Sequence, residues 1–439
     1  MLSKNLLPAV TSWLSGRSKH VLKIYYSIST DSSYFQKVKN DTVLMKNDIE
    51  EIKLKMIKMK RKSMLDDKEI FDIINYVHSV NPDLMNVCIK QLKLCKTGVE
   101  VLYFIDRGTA AKYVSLIKDD LLKNTCFVAE LNPGYGVLTT ELLKVDVPLI
   151  HLYEAKKELH PILKTIHNMY PGRLNLRNVN LLSIYKMFHK FKEETFQQQI
   201  FQGVESKKWE NETSMQIVGA MPNKSFFPCL IQNLISRSFF MSYGRPVFYF
   251  ALPPSLWQKY ICDNSNGRVY TFSKVMFQTM FNYELLGTLS RNAFLPWPRK
   301  NNKVKHSITR MWAKQDYEQI NVVKIEPKPD LYSQLSPEDW KTFSYFVRHH
   351  MQKRCNRMIP ELEKWVPGCG IRLIAKDYTI FTQFSDLTPT QMMELFKEFK
   401  SWPEYNESNF LASVHNLKGP NELIVAELEE SLKKDQISE

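Results

Sequence analysis

Between residues 100 and 326, short apolar runs alternate with stretches long enough to be helices, and this alternation constrains the fold more than any other feature. The runs fall at 126–131, 149–154, 174–180, 215–220, 246–251, 281–289 and 320–325. Runs this short and this apolar suit strands covered on both faces, and a helix-length segment after most of them supplies the cover. The expected fold class is α/β, a doubly wound Rossmann-like sheet. After residue 326 helix starts take over. Ser336-Pro337-Glu338-Asp339 places Pro at a first helical position behind a capping Ser, and Thr388-Pro389-Thr390-Gln391 has the capping-box spacing. They predict a small helical C-terminal domain over 327–420, with an acidic tail over 421–439.

Upstream, residues 31–97 form a Lys-rich extension, read as helical pieces with a solvated face. The polar stretch 183–214 reads as an insertion on the ligand-bearing edge of the sheet. Residues 1–30 contain no Asp or Glu, while Lys4, Arg17, Lys19 and Lys23 lie among Leu2, Leu6, Leu7, Val10, Trp13 and Leu14 at helical spacing. That is the composition of a mitochondrial transit peptide. No apolar run reaches the roughly 18–20 residues that span a bilayer, so no membrane partner is expected.

With 439 residues, 44% of them hydrophobic, the chain has enough apolar surface for a large core and is not a disordered protein. A formal net charge of +14 favours a polyanionic partner. The seven cysteines are odd in number and include no C-x-x-C pair, which does not look like a disulfide framework and fits a reducing compartment better. His349, His350 and Cys355 sit among Arg348, Lys353 and Arg354 in a helical pattern, read as a solvated helix face rather than a metal site.

The sharpest local signal runs from Glu130 through Asn132-Pro133-Gly134-Tyr135-Gly136 to Thr139, after a strand and into a helix. Glycines let the backbone approach a ligand closely, and a helix N-terminus offers free N–H groups. Thr139 stands where a dinucleotide fold would have its third glycine. An acidic residue followed by Pro-Gly-x-Gly is instead the pattern of S-adenosylmethionine-dependent methyltransferases. Glu154 ends the next strand, placed to take ribose hydroxyls, and Asn180 ends the third, an uncharged acceptor for an adenine amine.

Phe104-Ile105-Asp106-Arg107, the Glu130 motif, Glu154 and Val218-Gly219-Ala220-Met221-Pro222-Asn223 together resemble the rRNA adenine N6-dimethyltransferases in order and spacing. The resemblance implies S-adenosyl-L-methionine as cofactor, with Phe104, Glu130, Gly134, Gly136, Glu154 and Asn180 around it. It also exposes a defect. The family's Asn-x-Pro-aromatic motif supplies an acceptor for the adenine amine and a ring that stacks on the flipped base. Here Pro222 is kept, but Ala220 stands in the Asn position and Asn223 in the aromatic one. Losing one such acceptor typically lowers a rate by ~10²–10³-fold. The site is therefore read as non-catalytic, with a vestigial cofactor pocket left open as an alternative to a working one.

Mitochondrial members of the family divide into a paralogue that modifies small-subunit rRNA and one with a degraded motif that serves transcription. The chain resembles the second. That resemblance implies the single-subunit mitochondrial RNA polymerase, melted promoter DNA and the HMG-box mitochondrial transcription factor as partners, in the matrix nucleoid. The enzymatic alternative implies small-subunit rRNA. For contact with single strands, residues 291–306 alternate rings and cations, and Phe294, Trp297, Arg299, Lys300, Lys303 and Lys305 are the candidates. Two prolines in this stretch predict a loop.

Overall fold

The computed structural model describes residues 67–84, 101–124, 126–179, 181, 200–222, 225–264, 270–297, 307–353 and 355–415. The transit peptide, most of the Lys-rich extension, Asn180, Asn223, Arg299, Lys300, Lys303, Lys305 and the acidic tail lie outside these residues. The chain divides into two compact units, 1–72 and 73–439. Of the first, only residues 67–72 are described, the opening of helix α1 (Asp67–Val80). The second holds the sheet and its covering helices.

All seven apolar runs are strands of one seven-stranded sheet. They are β2 (Phe127–Leu131), β3 (Ile150–Tyr153), β4 (Leu174–Arg177), β5 (Met215–Ala220), β6 (Pro246–Leu252), β7 (Phe281–Ser290) and β9 (Gln319–Pro327). The order is β4-β3-β2-β5-β6-β9-β7; the first five strands are parallel, and β9 runs antiparallel to both of its neighbours, β6 and β7. The parallel strands β2, β5 and β6 are buried at every position, as strands covered by helices on both faces must be. Edge strand β7 is largely exposed instead, with only Phe281 and Leu289 buried.

Helices α2 (Arg107–Lys123), α3 (Val137–Lys144) and α4 (His160–Met169) share one core with Val128, Ile150, Val218 and Tyr249 of the sheet. Asp106 caps α2, its carboxylate accepting from the Gly108 N–H at 2.9 Å. On the other face lie α5 (Phe226–Ser236), α6 (Pro254–Ile261) and α7 (Phe272–Met280), over Ile217, Phe248 and Phe250. Helix α8 (Ser307–Gln315) leads into β9. The helices after β9 include α9 (Pro337–His350), α10 (Met358–Glu363) and α11 (Pro389–Ser401). Both predicted caps form: Ser336 accepts from the Asp339 N–H, and Thr388 and Gln391 exchange the two bonds of a capping box. Trp340, Phe343, Phe346, Phe396 and Phe399 continue the core that α5 and α7 begin, so the helical region is joined to the sheet by shared apolar packing.

Two strands escape the sequence pattern: β1 (Tyr103–Phe104) and β8 (Phe294–Leu295) pair antiparallel, Tyr103 opposite Leu295 and Phe104 opposite Phe294. The expected loop from 291 is therefore a short 3-10 turn, Arg291–Ala293, followed by β8. Pro296 falls after the strand, where its missing donor is not needed.

The described end of the polar insertion does not lie on the ligand-bearing edge. Gly203, Glu205, Lys207 and Ser214 line a cavity of about 280 Å³ with the opening residues of β2 and β3. A chain about to enter a parallel strand must arrive at the strands' amino ends, whereas ligands bind at the carboxyl ends. The solvated-face reading of His350 is also corrected. Its ring is 0% exposed and stacks on Phe384 at 3.8 Å, so the basic neighbours in sequence point elsewhere. Among the described residues no group of His, Cys, Asp or Glu is arranged to hold a metal ion, and no helix is long and apolar enough to cross a membrane.

Candidate functional site

Strand order reverses direction at β2, whose neighbours are β3 on one side and β5 on the other. A crevice at the carboxyl end of such a switch point is where open α/β sheets bind ligands. The motif residues meet there. Glu130 lies one residue from the end of β2, beside Leu152 and Val218, and Glu154 follows β3 directly. The turn between β2 and α3 takes Gly134 to φ +60° and Gly136 to φ +72°, left-handed conformations that favour glycine. Gly136 is the N-cap of α3, and a Cβ there would lie 2.1 Å from Ile166 Cδ1 of α4. This second glycine thus serves close helix packing rather than a ligand.

Glu130 is 1% exposed and accepts the Thr139 hydroxyl at 2.7 Å, tying strand to helix, while its Oε1 has no partner. Burial pushes its carboxyl up to about 8, and the nearby Glu154 charge adds to the rise against the Thr139 bonds. Glu154, also 1% exposed, accepts backbone N–H groups from Gly134 at 3.2 Å and Lys156 at 2.8 Å. Burial raises its carboxyl too, opposed by those two bonds. Two buried carboxylates at the ends of adjacent strands are costly unless something shares or neutralises the charge.

Tyr103 occupies the face of the glycine turn that a ligand would need. A Cβ built on Gly134 would lie 2.2 Å from Tyr103 Cδ1, so the phenol ring rests directly on the Gly134 backbone. The ring meets Tyr135 edge-on at 5.8 Å, lies 4.9 Å from the Lys156 ammonium, and is 4% exposed. As placed, the ring fills the glycine face that a nucleotide-type cofactor would need, whereas the Glu154 oxygens, each accepting one backbone N–H, keep further acceptor capacity. Phe104, expected beside the cofactor, points into the core instead, its ring 4.4 Å from Phe294 and 5.4 Å from Tyr113.

The degraded motif ends β5. Ala220 is buried and pairs with Ala251, the Gly219 N–H donates to Tyr113 Oη at 3.2 Å, and the Met221 N–H donates to the Ala251 carbonyl. Met221 is fully buried and Pro222 half-buried. Neither the alanine methyl nor the methionine thioether supplies the strong side-chain oxygen acceptor that an adenine amine needs.

The expected nucleic-acid residues separate. Phe294 is 0% exposed within the β1–β8 pair, so its ring is not available to a base, and this assignment is corrected. Trp297 is half-buried, its indole N–H donating to the Asn292 carbonyl at 3.0 Å and its ring meeting Tyr76 edge-on at 5.8 Å. Arg291, within the same cationic stretch, is buried and donates to the carbonyls of Phe294 and Pro296. Its charge braces the turn. Sequence reasoning missed Tyr103 altogether; the available signal was an aromatic beside Phe104 with no strand pattern to place it.

Comparison with known proteins gives the family. The sequence model of the family described as ribosomal RNA adenine dimethylase matches residues 111–401. A Drosophila melanogaster protein named dimethyladenosine transferase 2, mitochondrial, is 28% identical over 72% of this chain and 79% of its own length. The Bos taurus protein of the same name is 23% identical over 70% of this chain and 78% of its own. Human dimethyladenosine transferase 1, mitochondrial, is 23% identical over 41% of this chain and 50% of its own. Among solved structures, a dimethyladenosine transferase from Plasmodium falciparum aligns with 14% identity and a TM-score of 0.45, covering 68% of this chain and 97% of that one. The match over 111–401 spans the glycine turn, both strand-end carboxylates, the altered β5 motif and most of the C-terminal helices, and the chain belongs to the ribosomal RNA adenine dimethylase family.

Proposed function

We propose that this chain is a mitochondrial transcription initiation factor that works beside the single-subunit mitochondrial RNA polymerase, assisting promoter opening and holding the melted strand. One observation carries the reading: Ala220, buried and strand-paired, stands where adenine methylation requires an acceptor side chain. An amine whose lone pair is delocalised into a ring needs that acceptor to build negative character on nitrogen, and an alanine supplies none. The family's nucleic-acid surface then serves binding without transfer. Supporting this, the +14 charge suits a polyanion, and the relatives at 28% and 23% identity carry mitochondrial names. The acid-free N-terminal 30 residues direct import, and the partners are the polymerase, the HMG-box factor and melted promoter DNA in the matrix nucleoid. Trp297 is the ring offered to an unpaired base, with Arg299, Lys300, Lys303 and Lys305 tracking phosphates.

The family match favours a second reading, S-adenosylmethionine-dependent dimethylation of a small-subunit rRNA adenine. One reconstitution separates the two. Purified polymerase and HMG-box factor should initiate on a linear promoter only when this chain is added, with weaker dependence on a pre-melted template. Labelled methyl groups from S-adenosylmethionine should not appear in a small-subunit rRNA hairpin. Methyl incorporation at the rate of a catalytic relative, with no stimulation of initiation, would establish the enzyme instead.

A further inference from the structure

We propose that Tyr103 is a built-in plug of the nucleotide niche, and that the niche behind it is a cryptic site for an adenosine-type ligand which removing the ring would open. The proposal rests on the non-catalytic reading only in taking the niche to be out of use.

The plug is built from several contacts. Strand β1 holds Tyr103 opposite Leu295 of β8, which fixes the backbone from which the ring extends. The ring lies against Gly134, with ideal-Cβ distances of 2.2 Å to Cδ1, 2.9 Å to Cγ and 3.0 Å to Cε1. Tyr135 closes one side and the Lys156 ammonium lies over the ring. The phenol therefore occupies the approach that the left-handed glycine turn would otherwise leave to a ligand.

What lies around the plug is not an ordinary apolar core. Tyr103 Oη, Glu130 Oε1 and Asn132 Nδ2 are all buried without a hydrogen-bond partner, and all belong to the glycine turn, the strand leading into it or the ring that covers it. Leaving one buried polar group unpaired costs ~1–3 kcal/mol, so packing alone would favour Phe at 103 and apolar groups at 130 and 132. These polar atoms have the character of a ligand's recognition groups closed over by a side chain. The ligand class follows from them. Glu154, once released from the Gly134 N–H, is a carboxylate at a strand end facing a glycine turn, the arrangement that accepts a ribose cis-diol. The turn itself offers backbone N–H groups at the start of α3. An adenosine bearing a 5′ thioether or sulfonium substituent satisfies both.

The test uses the full chain and S-adenosylhomocysteine, by isothermal titration calorimetry and thermal shift. Wild type and Tyr103→Phe keep the plug and should bind at least tenfold more weakly than Tyr103→Ala. Tyr103→Val, which retains a strand-forming side chain, should gain affinity in the same direction if the alanine variant folds poorly. Ligand at a concentration equal to the Kd of Tyr103→Ala should raise the melting temperature of that variant and leave that of wild type almost unchanged. In addition, the melting-temperature loss caused by Gly134→Ala should shrink in the Tyr103→Ala background, because the colliding ring is gone. Wild-type affinity equal to that of the Ala variant, a ligand-induced rise of several degrees in wild type, or folded Ala and Val variants that gain nothing would each overturn the plug. Promoter-dependent initiation is measured on the same proteins. Failure of the plug with normal initiation leaves the transcription reading standing, and ligand gain by Tyr103→Ala without any initiation leaves the plug standing.

Discussion

Replacing Glu130 by Gln should stabilise the protein at neutral pH and remove most of its sensitivity to alkali. The carboxyl is buried, shares its surroundings with Glu154, and is held up to about 8 from an ordinary value of 4.5. Between those values the folded chain keeps a proton that the unfolded chain has released, so folding stability falls as pH rises through this window. One pKa unit corresponds to ~1.4 kcal/mol, and integrating from pH 5 to pH 7.5 gives a loss of about 3 kcal/mol in the wild type. Gln has the same shape, still accepts the Thr139 hydroxyl and carries no charge at any pH. The variant should therefore match wild type near pH 5 and exceed it by a few kcal/mol at pH 7.5. At roughly 2 °C per kcal/mol for a folding unit of this size, that is a gap of about 6 °C in melting temperature. Differential scanning calorimetry of both proteins at pH 5.0, 6.0, 7.0 and 7.5 reads it directly. Parallel curves, with the same slope in both proteins, would show that Glu130 ionises normally and that the two buried carboxylates are not in electrostatic conflict.

His350 carries the opposite sign. Its buried imidazole is held well below its ordinary value by burial first, then by His349 and Lys364, so stability is present above the unfolded value of about 6.5 and is lost as pH falls through it. His350→Phe, within a cluster of Phe346, Trp365 and Phe384, should abolish an acid-limb slope approaching ~1.4 kcal/mol per pH unit, read by urea unfolding at pH 4.5–6.5. Trp297→Ala should weaken single-strand binding by ~1–3 kcal/mol if the indole stacks on a base, and fluorescence anisotropy with wild-type affinity would remove it from the interface. Lys300→Ala or Lys303→Ala should flatten the salt dependence of binding by about one counterion for each phosphate no longer neutralised, read by anisotropy across a salt series. Protein isolated from mitochondria should begin well inside the encoded sequence, and mass spectrometry finding Met1 at the mature N-terminus would refute transit cleavage.

The parts of the fold that were legible are those where one physical requirement acts on many adjacent residues. Strands β2, β5 and β6 are buried on both faces, so each writes a mostly apolar run, interrupted only by Glu130 in β2 and Gln216 in β5. Glu130, Gly134, Gly136 and Glu154 were legible because chain geometry at a switch point puts strand ends and the following turn together whatever the surroundings. Strands β1 and β8 were not, since two residues hold no periodicity and their partners lie far apart in sequence. Phe294 was misplaced for the same reason: interleaved rings and cations look alike whether the rings face solvent or a distant strand. His350 was misread because Arg348 and Lys353 suggested water, although one helix turn presents both faces. Tyr103 needed the folded chain, because its role depends on a glycine thirty-one positions later.

Helices α5 and α7 are apolar towards the sheet and also towards α9 and α11, which close over them from the far end of the sequence. This makes the order of synthesis consequential. The chain emerges from its amino end, so every strand of the large sheet is available before residues 337–401, the outer layer over α5 and α7, have been made. Until then the faces of α5 and α7 that α9 and α11 cover are open, the kind of transient apolar surface that attracts chaperones and other nascent chains. A chain released by a premature stop after Pro327 should therefore yield an aggregating species that has every strand but lacks its outer helical layer.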